Sequence, residues 1–323
     1  MRLGLSEITT TRMGLGLAAL GRPGYINLGH AKDLNKTYDL KAMEKHCHHV
    51  LDNAWTQGIR YFDVARSYGK AEAFLSSWLK TRSIDPSDVT VGSKWGYTYT
   101  AGWKTNAKVH EVKEHSEYIL QKQWLESHNL LGSWLKLYQI HSATLESGVL
   151  ENSGVLQTLA RIKSENIAIG LSLSGTQQAD TLSKALSVTI DGIRLFDAVQ
   201  ATWNLLETSA AMALKDAHDQ GLGIIIKEGV ANGRLTGRND EEDFKEHKQL
   251  LTRIAVKYNT TIDALALAAV LEQPWVHIVL SGAATTSQLQ SNLSALDLAK
   301  LPPVNIAEQP ESYWSKRSSL SWN

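Results

Sequence analysis

The apolar run Gly58-Ile59-Arg60-Tyr61-Phe62 ends in a carboxylate, Asp63, and Tyr68 follows five residues later. Alone, each is ordinary: a strand-terminal Asp is most often a helix cap, and a loop Tyr is most often half-buried packing. Two more apolar runs end the same way. Val89-Thr90-Val91-Gly92-Ser93 leads into Lys94, and Leu137-Tyr138-Gln139-Ile140 leads into His141. A carboxylate, a phenol, an ammonium and an imidazole on three successive strand ends are groups that exchange protons with a substrate. Aimed into one cleft, they also need partners, because burying them unpaired is costly.

Such convergence requires a scaffold that brings strand ends together. Short β-type runs alternate with longer helical patterns along the whole chain, which argues for parallel βα units. Strands are expected at Met13–Leu17, Ile59–Asp63, Val89–Lys94, Leu135–His141, Ile167–Leu173, Ala198–Thr202, Gly223–Lys227 and Val276–Ser281. Helices are expected at Leu40–Gln57, Ala71–Lys80, Lys113–Ser127, Gly154–Ser164, Gln177–Ala185, Ser209–Gln220, Lys245–Tyr258 and Ile262–Leu271. Gly58 and Gly221 each stand just past a helix, where a left-handed residue closes the last turn. Eight strands suit an α/β fold of the (β/α)8 TIM-barrel type, with residues 1–323 forming one domain. A doubly wound open sheet has the same periodicity. Polar residues favour the barrel: Asp63, Lys94, His141, Ser172, Gln200 and Lys227 fall at or near the C-terminal ends of different strands, and a barrel gathers those ends on one face.

The pattern of Asp63, Tyr68, Lys94 and His141 resembles the catalytic signature of the aldo-keto reductase superfamily, and the resemblance extends from Met13-Gly14-Leu15-Gly16 to Asn292. It implies hydride transfer between a nicotinamide and a carbonyl or alcohol, with Tyr68 as general acid in reduction and general base in oxidation. An unperturbed phenol, with a pKa of about 10, is sluggish in either role. An ammonium about 4 Å away at an effective dielectric near 20 contributes roughly 4 kcal/mol, enough to lower that pKa by roughly three. Lys94 is expected to act in this way, with Asp63 holding it charged. His141 is expected to donate a hydrogen bond to the carbonyl oxygen.

The same resemblance distributes cofactor contacts. Gln200 and Ser172 correspond to carboxamide partners, Trp203 to the aromatic that stacks on the nicotinamide, and Gly16 to the first strand end. Lys227-Glu228-Gly229 and Arg234 correspond to the loop that wraps the pyrophosphate. Gly282, Ala284, Thr286, Gln288 and Asn292 correspond to the adenosine-binding segment. Family members that grip a 2′-phosphate with Lys or Arg carry it where this chain has Gly282 and Gln288. Neutral donors are expected there instead, giving a narrow preference for NADP(H), with NAD(H) as the other choice. Trp95 and Tyr97 after the third strand, and Tyr313, Trp314 and Trp322 in the tail, are expected to wall the substrate pocket.

Charge and composition exclude other classes. Lys plus Arg and Asp plus Glu are equal at 33 each, so no net field draws the protein to nucleic acid or an anionic membrane. The expected partner is a small-molecule carbonyl or alcohol. Cys47 is the only cysteine, so no intrachain disulfide can form, and a cytoplasmic location is expected. Apolar runs such as Ala264–Leu271 fall short of the roughly 18 residues that span a bilayer. His46-Cys47-His48-His49 has the composition of a metal site, yet consecutive helical positions point apart, and no metal is expected. The alternatives are a nicotinamide-holding regulatory subunit and a metal-dependent barrel hydrolase, the latter short of ligands.

Overall fold

In the computed structural model, which describes residues 1–298 and 300–323, eight parallel strands close into a barrel. They are β1 (Met13–Gly16), β2 (Tyr61–Asp63), β3 (Thr90–Trp95), β4 (Leu135–Ala143), β5 (Ala168–Leu173), β6 (Ala198–Thr202), β7 (Gly223–Lys227) and β8 (Ile278–Ser281). Each pairs with its sequence neighbours, and β8 closes onto β1 through Met13↔Val279 and Leu15↔Ser281. All eight expected strands are present, shortened at some ends by one or two residues.

The outer ring follows the expected helices: α1 (Leu40–Thr56), α2 (Ala71–Thr81), α3 (Glu117–Leu131), α4 (Ser153–Ser164), α5 (Gln178–Leu186), α6 (Ala211–Asp219), α7 (Lys245–Lys257) and α8 (Ile262–Leu271). Their starts are fixed chemically. The side chains of Asp39, Ser116, Asn152 and Thr261 accept from the N–H three residues on, satisfying donors that a helix start leaves open. In α1, Met43, Cys47, Val50, Leu51 and Ala54 recur at helical spacing and are buried, so Cys47 is a packing residue whose thiol burial pushes to a raised pKa. Gly58 and Gly221 take φ of 87° and 86°, the left-handed closure their placement implied.

Two helices were not anticipated, α9 (Thr286–Leu293) and α10 (Pro310–Ser319). A hairpin of Tyr97–Tyr99 with Glu111–Lys113 also stands where the third helix was expected to begin. The chain stays extended until Ser116 caps α3, so that helix lies about one turn further on.

Two apolar clusters hold the scaffold. The larger fills the space between strands and helices. The smaller lies inside the barrel, where Leu3 and Ile8 join Tyr61, Leu137, Ala198, Ile225, Ile278 and Leu280. Residues 2–9 form a small turn whose Leu5, Ile8 and Thr9 lie beside Val89, Thr90, Ile167 and Ala168 at the strand starts, leaving the strand C-terminal ends open.

Candidate active site

Those open ends surround a cavity of about 370 Å³, within the range of small-molecule sites. Asp63, at the end of β2, lies at its floor. Its Oδ1 accepts from Lys94 Nζ, and its Oδ2 accepts from Gln200 Nε2 at 2.9 Å. Lys94, fully buried on β3, donates also to Val64 O at 3.1 Å, and its Nζ stands 5.0 Å from the centre of the Tyr68 ring. The Tyr68 and His141 rings meet edge to face with centres 5.5 Å apart, and Tyr97 closes on His141 at 4.9 Å. The four residues read as proton-transfer groups from sequence thus share one place.

Their electrostatics differ in one respect from expectation. Burial first, and then the negative charge of Asp63, hold the Tyr68 phenol well above its ordinary pKa. The Lys94 ammonium, held by Asp63, does not outweigh these two effects. The phenol thus stands above its ordinary value rather than below it, and Tyr68 is protonated at neutral pH. Burial, followed by the charges of Lys94, Arg22 and Lys227, holds His141 well below its usual value, so its imidazole is neutral.

The backbone after His141 is unusual. Ser142 has φ of 52°, and its N–H donates to Ser172 Oγ at 2.8 Å. Ser172 stands in register with Gln200 on the next strand. Gln200 lines the cavity with its carbonyl oxygen uncommitted, the partner a carboxamide N–H requires.

Other expected contacts lie elsewhere. Trp203 packs perpendicular to Trp275 at 5.7 Å and lines neither cavity at the mouth. Trp95 is fully buried against His115 and does not wall the pocket, because the strand's alternation turns it away from Lys94. Gly229 packs against Leu267, and Arg234 pairs with Glu308. Lys227 donates to Thr202 Oγ1 at 2.6 Å and lies 3.7 Å from Glu228, whose carboxylate is gripped by both Nε and Nη2 of Arg317 on α10. The basic residues assigned to the pyrophosphate are spent on protein carboxylates and a hydroxyl. In the tail, Tyr313 hydrogen-bonds Asn204 and Trp314 stacks under Arg317, so of the three tail aromatics only Trp322 walls the cavity.

Several lining residues escaped the sequence reading. Arg22, in the loop after β1, lies over the Tyr68, Tyr25 and Trp322 rings at 5.2, 5.0 and 4.8 Å and pairs with Glu111 at 2.9 Å. Its place right after a strand end, beside Pro23-Gly24, is the signal that could have marked it.

A second cavity adjoins the first at Gly282, which lines both. Gln288 and Asn292 face it, together with Asp33, Arg238 and Asp263. Ala284 and Thr286 stand at its edge as part of the turn into α9. No group of His, Cys, Asp and Glu arranged to hold a metal occurs among the described residues, and His46 is tied instead to Ala284 O at 2.6 Å.

The aldo/keto reductase family model matches residues 12–312. The chain belongs to this family. Among curated relatives of the aldo/keto reductase, the NADH-specific methylglyoxal reductase of Escherichia coli is 24% identical, covering 92% of this chain and 93% of its own. The D-threo-aldose 1-dehydrogenase of a Pseudomonas species is 26% identical over 89% and 92%. Among solved structures, aldo-keto reductase AKR11C1 from Bacillus halodurans superposes with a TM-score of 0.71 at 17% identity, covering 99% of this chain and 95% of its own, a likeness of fold. The protein is thus an oxidoreductase of the aldo-keto reductase type. No single helix among the described residues is long and apolar enough to cross a membrane.

Proposed function

We propose that this aldo-keto reductase reduces small carbonyl compounds at the expense of a nicotinamide dinucleotide, with Tyr68 as the proton donor. The observation that carries the reading is the buried Lys94–Asp63 pair set behind Tyr68, with the neutral His141 edge-on to the phenol in the same cavity. A bound dihydronicotinamide supplies the hydride. The chain's own residues do the rest. His141 lines the cleft as a neutral imidazole able to donate to the carbonyl oxygen, and the Tyr68 O–H gives its proton as charge develops there. The tyrosinate left behind faces the Lys94 ammonium.

The raised pKa keeps Tyr68 in the protonated form that reduction consumes. The ring end of the site takes NADH and NADPH alike, since it holds only the nicotinamide and its ribose. The cavity walls alternate aromatic faces, Tyr25, Tyr97 and Trp322, with the paired charges of Arg22, Glu111, Glu228 and Arg317. That mixture suits small polar carbonyl compounds, so 2-oxoaldehydes and aldoses are the substrates to test first.

Tyr68→Phe should lower carbonyl reduction by about 10²- to 10⁴-fold, the usual contribution of a positioned acid. Nucleotide affinity, read by tryptophan fluorescence, should stay within a few fold. Retained turnover in the variant would overturn the assignment.

A further inference from the structure

On the reading that a nicotinamide dinucleotide extends from Tyr68 past Gly282, its adenosine end rests in the second cavity. The charge there is set by Asp33, Asp263 and Arg238, two carboxylates against one guanidinium. Asp33, Gln288 and Asn292 are already engaged with their neighbours. Asp33 Oδ1 accepts from Arg238 Nη2 at 2.6 Å; its Oδ2 accepts from Arg238 Nη1 at 2.8 Å and from Gln288 Nε2 at 2.9 Å. Gln288 Oε1 accepts from the Ala284 N–H at 2.8 Å. Asn292 Nδ2 donates to Asp263 at 2.8 Å, and Asn292 Oδ1 accepts from Ser281 at 2.7 Å.

Of the neutral donors from which the sequence implied a 2′-phosphate grip, the amide of Gln288 and the N–H of Ala284 are turned to internal acceptors, which leaves the Gly282 N–H, the Thr286 hydroxyl and the start of α9. A 2′-phosphate carries a charge of about −1.5 to −2 near neutrality. To be held here it would have to stand beside the Asp33 carboxylate, in a cavity whose two carboxylates outnumber its one guanidinium. A ribose 2′-hydroxyl makes no such demand. It is a donor, and a carboxylate offers about four acceptor sites, of which three are filled at Asp33. We propose that Asp33 sets the choice of dinucleotide, accepting the 2′-hydroxyl of NADH and repelling the 2′-phosphate of NADPH. The narrow NADP(H) preference expected from the sequence is thereby reversed.

The test is direct titration of the wild type with NADH and with NADPH, followed by fluorescence. NADH should bind at least about tenfold more tightly, since like charges brought together in a binding site cost several kcal/mol. Asp33→Asn, which keeps shape and removes charge, should tighten NADPH by about tenfold and weaken NADH by a few fold, so that the ratio collapses. Wild-type NADPH binding as tight as NADH overturns the proposal, as does an unchanged ratio in Asp33→Asn.

Should that variant not fold, competition on the wild type decides. AMP should displace NADH at least about tenfold more effectively than adenosine 2′,5′-bisphosphate, and equal or reversed potency overturns the proposal. If neither dinucleotide binds the wild type, the nicotinamide reading falls and the proposal with it. If both bind without discrimination, that reading stands and only the role of Asp33 fails.

Discussion

Tyr68 carries two opposing demands, and burial decides between them. A pKa near the working pH suits a phenol that must serve as both acid and base, whereas a raised pKa keeps it protonated but makes it the weaker acid. Desolvation and Asp63 here push it well above its ordinary value. Protonated Tyr68 is therefore present at every pH below that raised value and lost only above it. Reduction should run at a rate nearly constant from roughly pH 6 to 9, while oxidation of the alcohol, which needs the tyrosinate, should be slow at pH 7 and climb through that range. Initial rates in both directions across the range check this, and a reduction rate that falls steeply between pH 7 and 8 would contradict it. Asp63, Tyr68, Lys94 and His141 were legible in the sequence because strand ends announce themselves. Arg22, Glu111, Asp33 and Arg238 were not, because they sit on connecting segments outside the barrel strands, where their position depends on residues far away in the chain.

The elements were legible in the same measure. Each barrel strand is a largely apolar run bounded by turn signals, and the ring helices carry a buried stripe at helical spacing, except α8, which is buried on nearly every side. The tail helix α10 escaped because it is polar along most of its length and gains its place from tertiary contacts: Tyr313 on Asn204, and Arg317 on Glu228. Glu228 itself takes a left-handed φ of 57° at the end of β7, a conformation a non-glycine residue adopts when its surroundings hold it there. Despite desolvation, the Arg317 and Lys227 charges lower its pKa from 4.5 to about 2. The unfolded chain then binds more protons between those values, so this group's stabilisation is complete above about pH 4.5 and is lost as pH falls toward 2. Its size is on the order of 3 kcal/mol. Glu228→Gln should destabilise the protein at pH 7 by about 3–5 kcal/mol, since it leaves Arg317 buried without its partner. Its difference from wild type should shrink as pH is lowered through that window. Urea denaturation of both proteins at several pH values measures this, and a difference independent of pH would show that Glu228 is not the group that titrates.

At the scale of the whole molecule the barrel separates stability from chemistry. The groups placed at the site project from the C-terminal ends of strands, from the loops after them and from the C-terminal tail, whereas the opposite end is closed by the N-terminal turn. Leu3 is fully buried there, against Gly223 at the start of β7 and among the apolar side chains inside the barrel. It lines neither cavity of the mouth, and the strands between are held by backbone ladders on both sides. Leu3→Ala should therefore cost about 2–5 kcal/mol, the sum of lost transfer energy and a cavity that a closed sheet cannot collapse to fill. Below its lowered melting temperature the variant should keep wild-type kcat and nucleotide affinity, because the rigid strands transmit little of a void at one end to side chains at the other. Thermal denaturation paired with steady-state kinetics at a temperature well below the transition separates the two quantities. A fall in kcat without a fall in stability would mean that the barrel interior is coupled to the site, and Tyr61 is where that coupling would run, since it belongs to the interior cluster and its hydroxyl lies 3.4 Å from Asp63.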